Sequence, residues 1–131
     1  MTKRTDRETL EAFFAAFKAQ DTATMEALLA SDFVIRESAG LPYAGVYKGF
    51  AGWMELLGRI AATWTGITPT IRHFIGDDGH FAVMMDLALT SKSTGRTLET
   101  SVFELWTVDA GKIKEVQPFY WDTKAVAALV A

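Results

Sequence analysis

The chain has 131 residues, half of them apolar, 12% aromatic and 22% charged, which is the length of one domain and too hydrophobic for a disordered chain. It has no cysteine and two histidines, His73 and His80, which excludes disulfides, thiol nucleophiles and thiolate metal sites and argues against a zinc site built on imidazoles. Its net charge of −3 argues against a nucleic-acid partner; no apolar run reaches the roughly 18 residues of a membrane span, and the polar start Met1 to Glu11 shows no secretory signal, so a cytoplasmic protein is expected.

Thr5-Asp6-Arg7-Glu8 has the form of a capping box, so the first helix is expected to begin at Thr5. Leu10, Phe13, Phe14 and Phe17 follow at helical spacing and make one apolar stripe. A second short helix starts near Asp21 or Thr22, with Met25, Leu28 and Leu29 inward. Phe33-Val34-Ile35 reads as a short strand. Ser38 to Gly49 contains three glycines and Pro42 and reads as a loop. A third helix runs from about Phe50 to Trp64, with Phe50, Trp53, Met54, Leu57, Ile60, Ala61 and Trp64 as its stripe.

After Gly66 the apolar period becomes two. Ile67, Ile71, His73 and Ile75 share a strand face expected to point inward. Gly76 to Gly79 turns into a strand with Phe81, Val83, Met85, Leu87 and Leu89 on one face and Asp86 on the other. Ser91 to Arg96 turns again, a long strand spans Thr97 to Val108, and Asp109-Ala110-Gly111 leads to a last strand from Lys112 to Trp121. Asp122 precedes a helical tail. Helices first and hairpin-linked strands after them give an α+β fold whose antiparallel sheet curves around the N-terminal helices. The second sheet face, with Ala82, Met84 and Ala88, is small or apolar and suits a homodimer interface.

Three segments occur in order over essentially the whole chain. They are Asp21 to Leu29 leading into Asp32-Phe33-Val34, Leu41 to Gly49 before the long helix, and Asp109 to Ile113 followed by Pro118 to Asp122. On these the sequence resembles the nuclear transport factor 2-like superfamily, which includes ketosteroid isomerase and the SnoaL-like polyketide cyclases. The resemblance implies a cone-shaped sheet closed by helices around an internal pocket, often dimeric through the convex face. It does not imply one function, because the superfamily holds isomerases, cyclases, dehydratases, epoxide hydrolases and non-catalytic binders.

Glu37 ends a strand just before Ser38-Ala39-Gly40, where ketosteroid isomerase-like sequences hold a general-base carboxylate. The resemblance implies a base that abstracts a proton beside a carbonyl; a solvated Glu paired with Arg36 or Arg72 is the other reading. Asp122 stands where SnoaL-like cyclases keep an acid–base Asp, and equally where a helix N-cap belongs. Glu104 projects into the pocket if its face is concave, and a neutral acid there can donate to a developing oxyanion. Spacing from the Gly111-Lys112-Ile113 turn puts Phe103 there instead, and a one-residue slip decides between them. An inward His73 suits acid–base work or is a hydrogen-bonded core residue. Tyr43 and Tyr47 sit over the pocket mouth as ligand donors or as packing. Phe13, Phe17, Trp53 and Trp106 are candidates for the cavity wall, as are Phe119 and Trp121 near the chain end. The first helix has no Tyr, and Phe13 stands where ketosteroid isomerase has its oxyanion-donating Tyr.

Two functions of different classes follow. One is a cofactor-independent isomerase, cyclase or dehydratase acting on a small apolar, carbonyl-bearing molecule, with Glu37 as base and Glu104, His73, Tyr43 or Tyr47 orienting or protonating it. The other is a non-catalytic ligand-binding or dimeric interaction module, favoured if the cavity is apolar and holds no inward carboxylate. No metal or cofactor is expected; Gly45 to Gly52 lacks the context of a phosphate-binding loop.

Overall fold

Residues 4–131 are described by a computed structural model, and they begin as the sequence requires. Thr5 caps α1 (Asp6–Lys18): its hydroxyl accepts from the Glu8 N–H, and the Glu8 carboxylate accepts from the Thr5 N–H. This exchange satisfies donors that a first helical turn leaves free. Leu10, Phe13 and Ala16 are buried, whereas Phe17, at the end of the expected stripe, is 45% exposed. Asp21 caps α2 (Thr22–Leu28), which runs straight into β1 (Leu29–Glu37), a strand extending well to both sides of Phe33-Val34-Ile35.

The segment read as a loop contains a further strand, β2 (Gly45–Lys48), paired antiparallel with β1. It is too short to show an alternating pattern. In α3 (Gly49–Thr63) the buried face is Gly52, Trp53 and Leu56, while Met54 and Ala61 face outward, which corrects the expected stripe. Gly52 belongs to the buried face because a Cβ there would lie 2.9 Å from the Tyr47 carbonyl carbon. The helix lies this close to β2 only with a hydrogen at that position.

The chain continues through β3 (Trp64–Asp77), β4 (His80–Ser91), β5 (Thr97–Asp109), β6 (Lys112–Tyr120) and α4 (Thr123–Ala128). The six strands form one curved, unclosed sheet in the order β2-β1-β6-β5-β4-β3. Residues of α1 and α3 share the core with its concave face, so the expected α+β cone is present. One pair departs from the antiparallel expectation: β1 and β6 run parallel. They lie far apart in the chain, and no hairpin turn forces them to oppose each other.

A bulge redirects β3. Ile71 pairs with Met85, but His73 pairs with Met84, so one extra residue lies between them. The face reverses there. Ile67 and Ile71 stay on the concave side with Leu89 and Met85, whereas His73 and Ile75 move to the convex side with Met84 and Ala82. Among the described residues no helix is long and apolar enough to cross a membrane.

Candidate functional site

Three neighbouring strands bring two carboxyls to the concave face. Ile35 of β1 pairs with Val116 of β6, which sets Glu37 level with Pro118, and Pro118 pairs with Glu104 of β5. The two glutamates rise two strands apart, roughly 10 Å at the backbone from ordinary strand spacing. The pairing of Glu104 with inward Val83 settles its register: Glu104 shares the inner face with Val102 and Trp106, and Phe103 points outward at 42% exposure.

Glu37 is buried, and its Oε1 is enclosed without a hydrogen-bond partner. Burial, and secondarily the charge of Glu104, pushes its pKa up to about 8. Burial also raises Glu104, to about 7, against the pull of the Trp106 indole N–H, which donates to Glu104 Oε1 at 3.2 Å. The ion pairs among the described residues, Arg36–Glu115, Arg59–Glu55, Arg72–Asp86 and Lys114–Asp32, lie on the outside and leave both buried carboxyls without a cation. A charge on one carboxyl in such a site disfavours a charge on the other, so the second ionises at a higher pH.

Tyr43 and Tyr120 close the group. Their hydroxyl oxygens are 2.8 Å apart, and the Trp64 indole N–H donates to the Tyr43 hydroxyl oxygen at 3.2 Å. Two hydroxyls carry two protons and only one lies between them, so the other is free to donate. Burial raises both phenols, and the charge of Glu37 adds to the rise in each. They remain neutral donors at ordinary pH. The Tyr47 hydroxyl is already used, donating to the Tyr43 carbonyl oxygen at 2.9 Å, so Tyr47 anchors the loop rather than offering a donor.

The wall beside the carboxyls is aromatic. Phe13 meets Trp53 edge-on at 5.3 Å and Trp106 at 5.7 Å, and Phe14 meets Trp106 at 5.2 Å. Glu104, Met85 and Tyr120 face inward yet keep part of their surface accessible. At the β3 edge of the sheet, Ile67 and Ile71 of the same face are about half exposed.

Several expected site residues lie elsewhere. His73 is exposed on the convex face, carried there by the β3 bulge, and does not reach the carboxyls. Phe119 is also convex, beside Phe103 at 6.4 Å, because its neighbour Tyr120 takes the inward position. Trp121 is 83% exposed in an outer hollow with Asp86 and Glu99. The Asp122 carboxylate is exposed and accepts from the Ala125 N–H, so it is the cap of α4. Phe17 touches only the rim, edge-on to Trp53 at 6.0 Å. Tyr120 was not expected in the site. The signal for it is its pairing with apolar Val102, which fixes the face of β6.

Helices covering the concave face of a six-stranded curved sheet define the nuclear transport factor 2-like class of fold. Residues 10–116 match the model of the SnoaL-like domain, and the chain belongs to that family. A nuclear transport factor 2-like protein from Burkholderia thailandensis has a TM-score of 0.90 and 28% identity over 98% of this chain and 99% of that one. The protein TerC, co-crystallised with polyporic acid, has a TM-score of 0.83 and 22% identity over 95% and 97%. A protein of ketosteroid isomerase-like fold from Catenulispora acidiphila, in complex with trimethylamine, has a TM-score of 0.74 and 16% identity over 93% of both chains. The last two share the fold. No curated protein matches the sequence.

Proposed function

We propose that this protein is a cofactor-independent enzyme that moves a proton within a small, largely apolar, carbonyl-bearing molecule, as isomerases, cyclases and dehydratases do. The observation that carries the reading is the inward pair Glu37 and Glu104 beside the Tyr43–Tyr120 hydroxyls in an otherwise apolar interior. Carboxyls raised toward neutrality can take and return protons near pH 7. The spare tyrosine proton can stabilise the oxygen of the enolate that forms. Each buried carboxyl costs stability when ionised, a cost that acid–base work would explain.

The test does not need the product to be known. Enolisable ketones and lactones are incubated with the protein in deuterated water, and loss of their α C–H signals is followed by NMR. Saturable exchange above the buffer rate is the expected result. Panel members that bind, as seen by tryptophan fluorescence, yet exchange no faster than in buffer would leave a ligand-binding module instead.

We also propose a homodimer through the convex face. Phe103, Phe119, Leu105 and Ile75 are exposed there around half-buried Ala82 and Met84. An apolar patch of this kind on a sheet is a common dimer contact. Light scattering at micromolar concentration is expected to give twice the chain mass of 14.4 kDa, and Phe103→Asp to give the monomer. A wild-type monomer would refute the contact.

A further inference from the structure

The two carboxyls are not equivalent in their hydrogen bonds, and this difference distributes the proton between them. Glu104 Oε1 receives the Trp106 indole N–H from two residues along the same strand face. An indole N–H can only donate, and its bond is stronger to a carboxylate than to a neutral acid. Glu37 Oε1 is enclosed with no donor at all. An ionised Glu37 would hold one oxygen enclosed without a donor, the costlier of the two arrangements. The other titratable groups facing the pair are Tyr43 from the loop and Tyr120 from β6, both neutral, while α1 and α3 present Phe13 and Trp53. Nothing on these elements offers Glu37 a compensating charge.

We infer that Glu104 is the proton-abstracting base and Glu37 the proton-bearing acid, the reverse of the roles implied by the ketosteroid isomerase resemblance, with Trp106 as the residue that positions Glu104 as the carboxylate. The inference rests on the acid–base reading of the site. In the forward step the substrate α C–H bond breaks and an O–H bond forms on Glu104, while the electron pair moves onto the carbonyl oxygen, where the spare tyrosine proton meets it. The Glu37 O–H bond then breaks as its proton goes to the new carbon. The pair holds one proton before and after, and it resets by exchange with solvent at the partly accessible Glu104.

The experiment is a pH titration by NMR of the protein labelled with ¹³C at the glutamate carboxyls, in the wild type and in Glu37→Gln, Glu104→Gln and Trp106→Phe. If Glu104 ionises first, it does so beside a neutral Glu37, so Glu37→Gln leaves the Glu104 midpoint unchanged. Glu37 ionises second, against the Glu104 charge, so Glu104→Gln lowers the Glu37 midpoint by about one unit. Trp106→Phe keeps the ring against Phe13 and Phe14 and raises the Glu104 midpoint. The opposite asymmetry between the two Gln variants would reverse the roles and overturn the inference, and an unmoved midpoint in Trp106→Phe would remove Trp106 from it. Wild-type midpoints near the ordinary 4.5 for both residues would instead overturn the acid–base reading beneath it. Both Gln variants mimic the protonated acid and are expected to fold.

Discussion

Raising the pH from 5 to 9 is expected to lower the stability of the folded protein by several kcal/mol, and Glu37→Gln to remove the larger share of that loss. Glu37 sits at about 8 in the fold against 4.5 for the ordinary group, and Glu104 at about 7. For a carboxyl raised by folding, the stabilisation is complete below the unfolded value, where both states are protonated. Between 4.5 and 8 the unfolded chain releases protons that the folded chain retains, so stability falls as pH rises. Each unit is worth about 1.4 kcal/mol, so Glu37 accounts for about 5 kcal/mol at full ionisation and Glu104 for about 3. The lowered carboxyls, Glu8, Asp21 and Asp32, titrate below this window and do not mask it. For a domain of this size the wild-type Tm is expected to drop by about 15 °C or more across the range. Glu37→Gln matches the wild type at pH 5 and exceeds it at pH 9, and the double variant with Glu104→Gln is nearly flat. A wild-type Tm that holds level from pH 5 to 9 would mean that neither carboxyl is desolvated.

The site carries this cost while the rest of the chain follows ordinary local rules, and the sequence is readable in the same proportion. Thr5, Asp21 and Asp122 are legible as caps because a cap depends on a side chain and the amide three residues on. Glu37 is legible because it ends a strand at a glycine-containing turn. The face of Glu104 is not, since it depends on which residue of β4 stands opposite, and spacing from the Gly111-Lys112-Ile113 turn points to Phe103 instead. Tyr120 lies in the run Pro118-Phe119-Tyr120-Trp121, where no alternation of polar and apolar types says which ring turns inward. His73 follows a regular alternation from Ile67, but the bulge after Ile71 adds one residue and inverts it. In each case the missing information is a pairing between strands distant in the chain.

The chemistry depends on the pair rather than on either carboxyl alone, and its variants should show this. Glu37→Gln and Glu104→Gln are each expected to slow complete turnover, from proton abstraction to delivery at the new carbon, by about 10³-fold, within the range that general acid–base catalysis supplies. The double variant is expected to lose no more than the worse single one, because removing either partner already disables the unit. Tyr43→Phe and Tyr120→Phe act on the oxyanion; each is expected to cost about 10²-fold, near the lower end for loss of one preorganised donor. Only the singly protonated pair holds both a base and an acid, so kcat/KM for complete turnover should follow a narrow bell with limbs at about 7 and about 8. Exchanging the roles of the two glutamates leaves that bell unchanged, since the total proton count is the same. The bell therefore tests the pair, and the carboxyl titrations test the order within it. Full turnover in either Gln variant, measured on protein whose Tm shows that it is folded, would dissolve the pair as the catalytic unit.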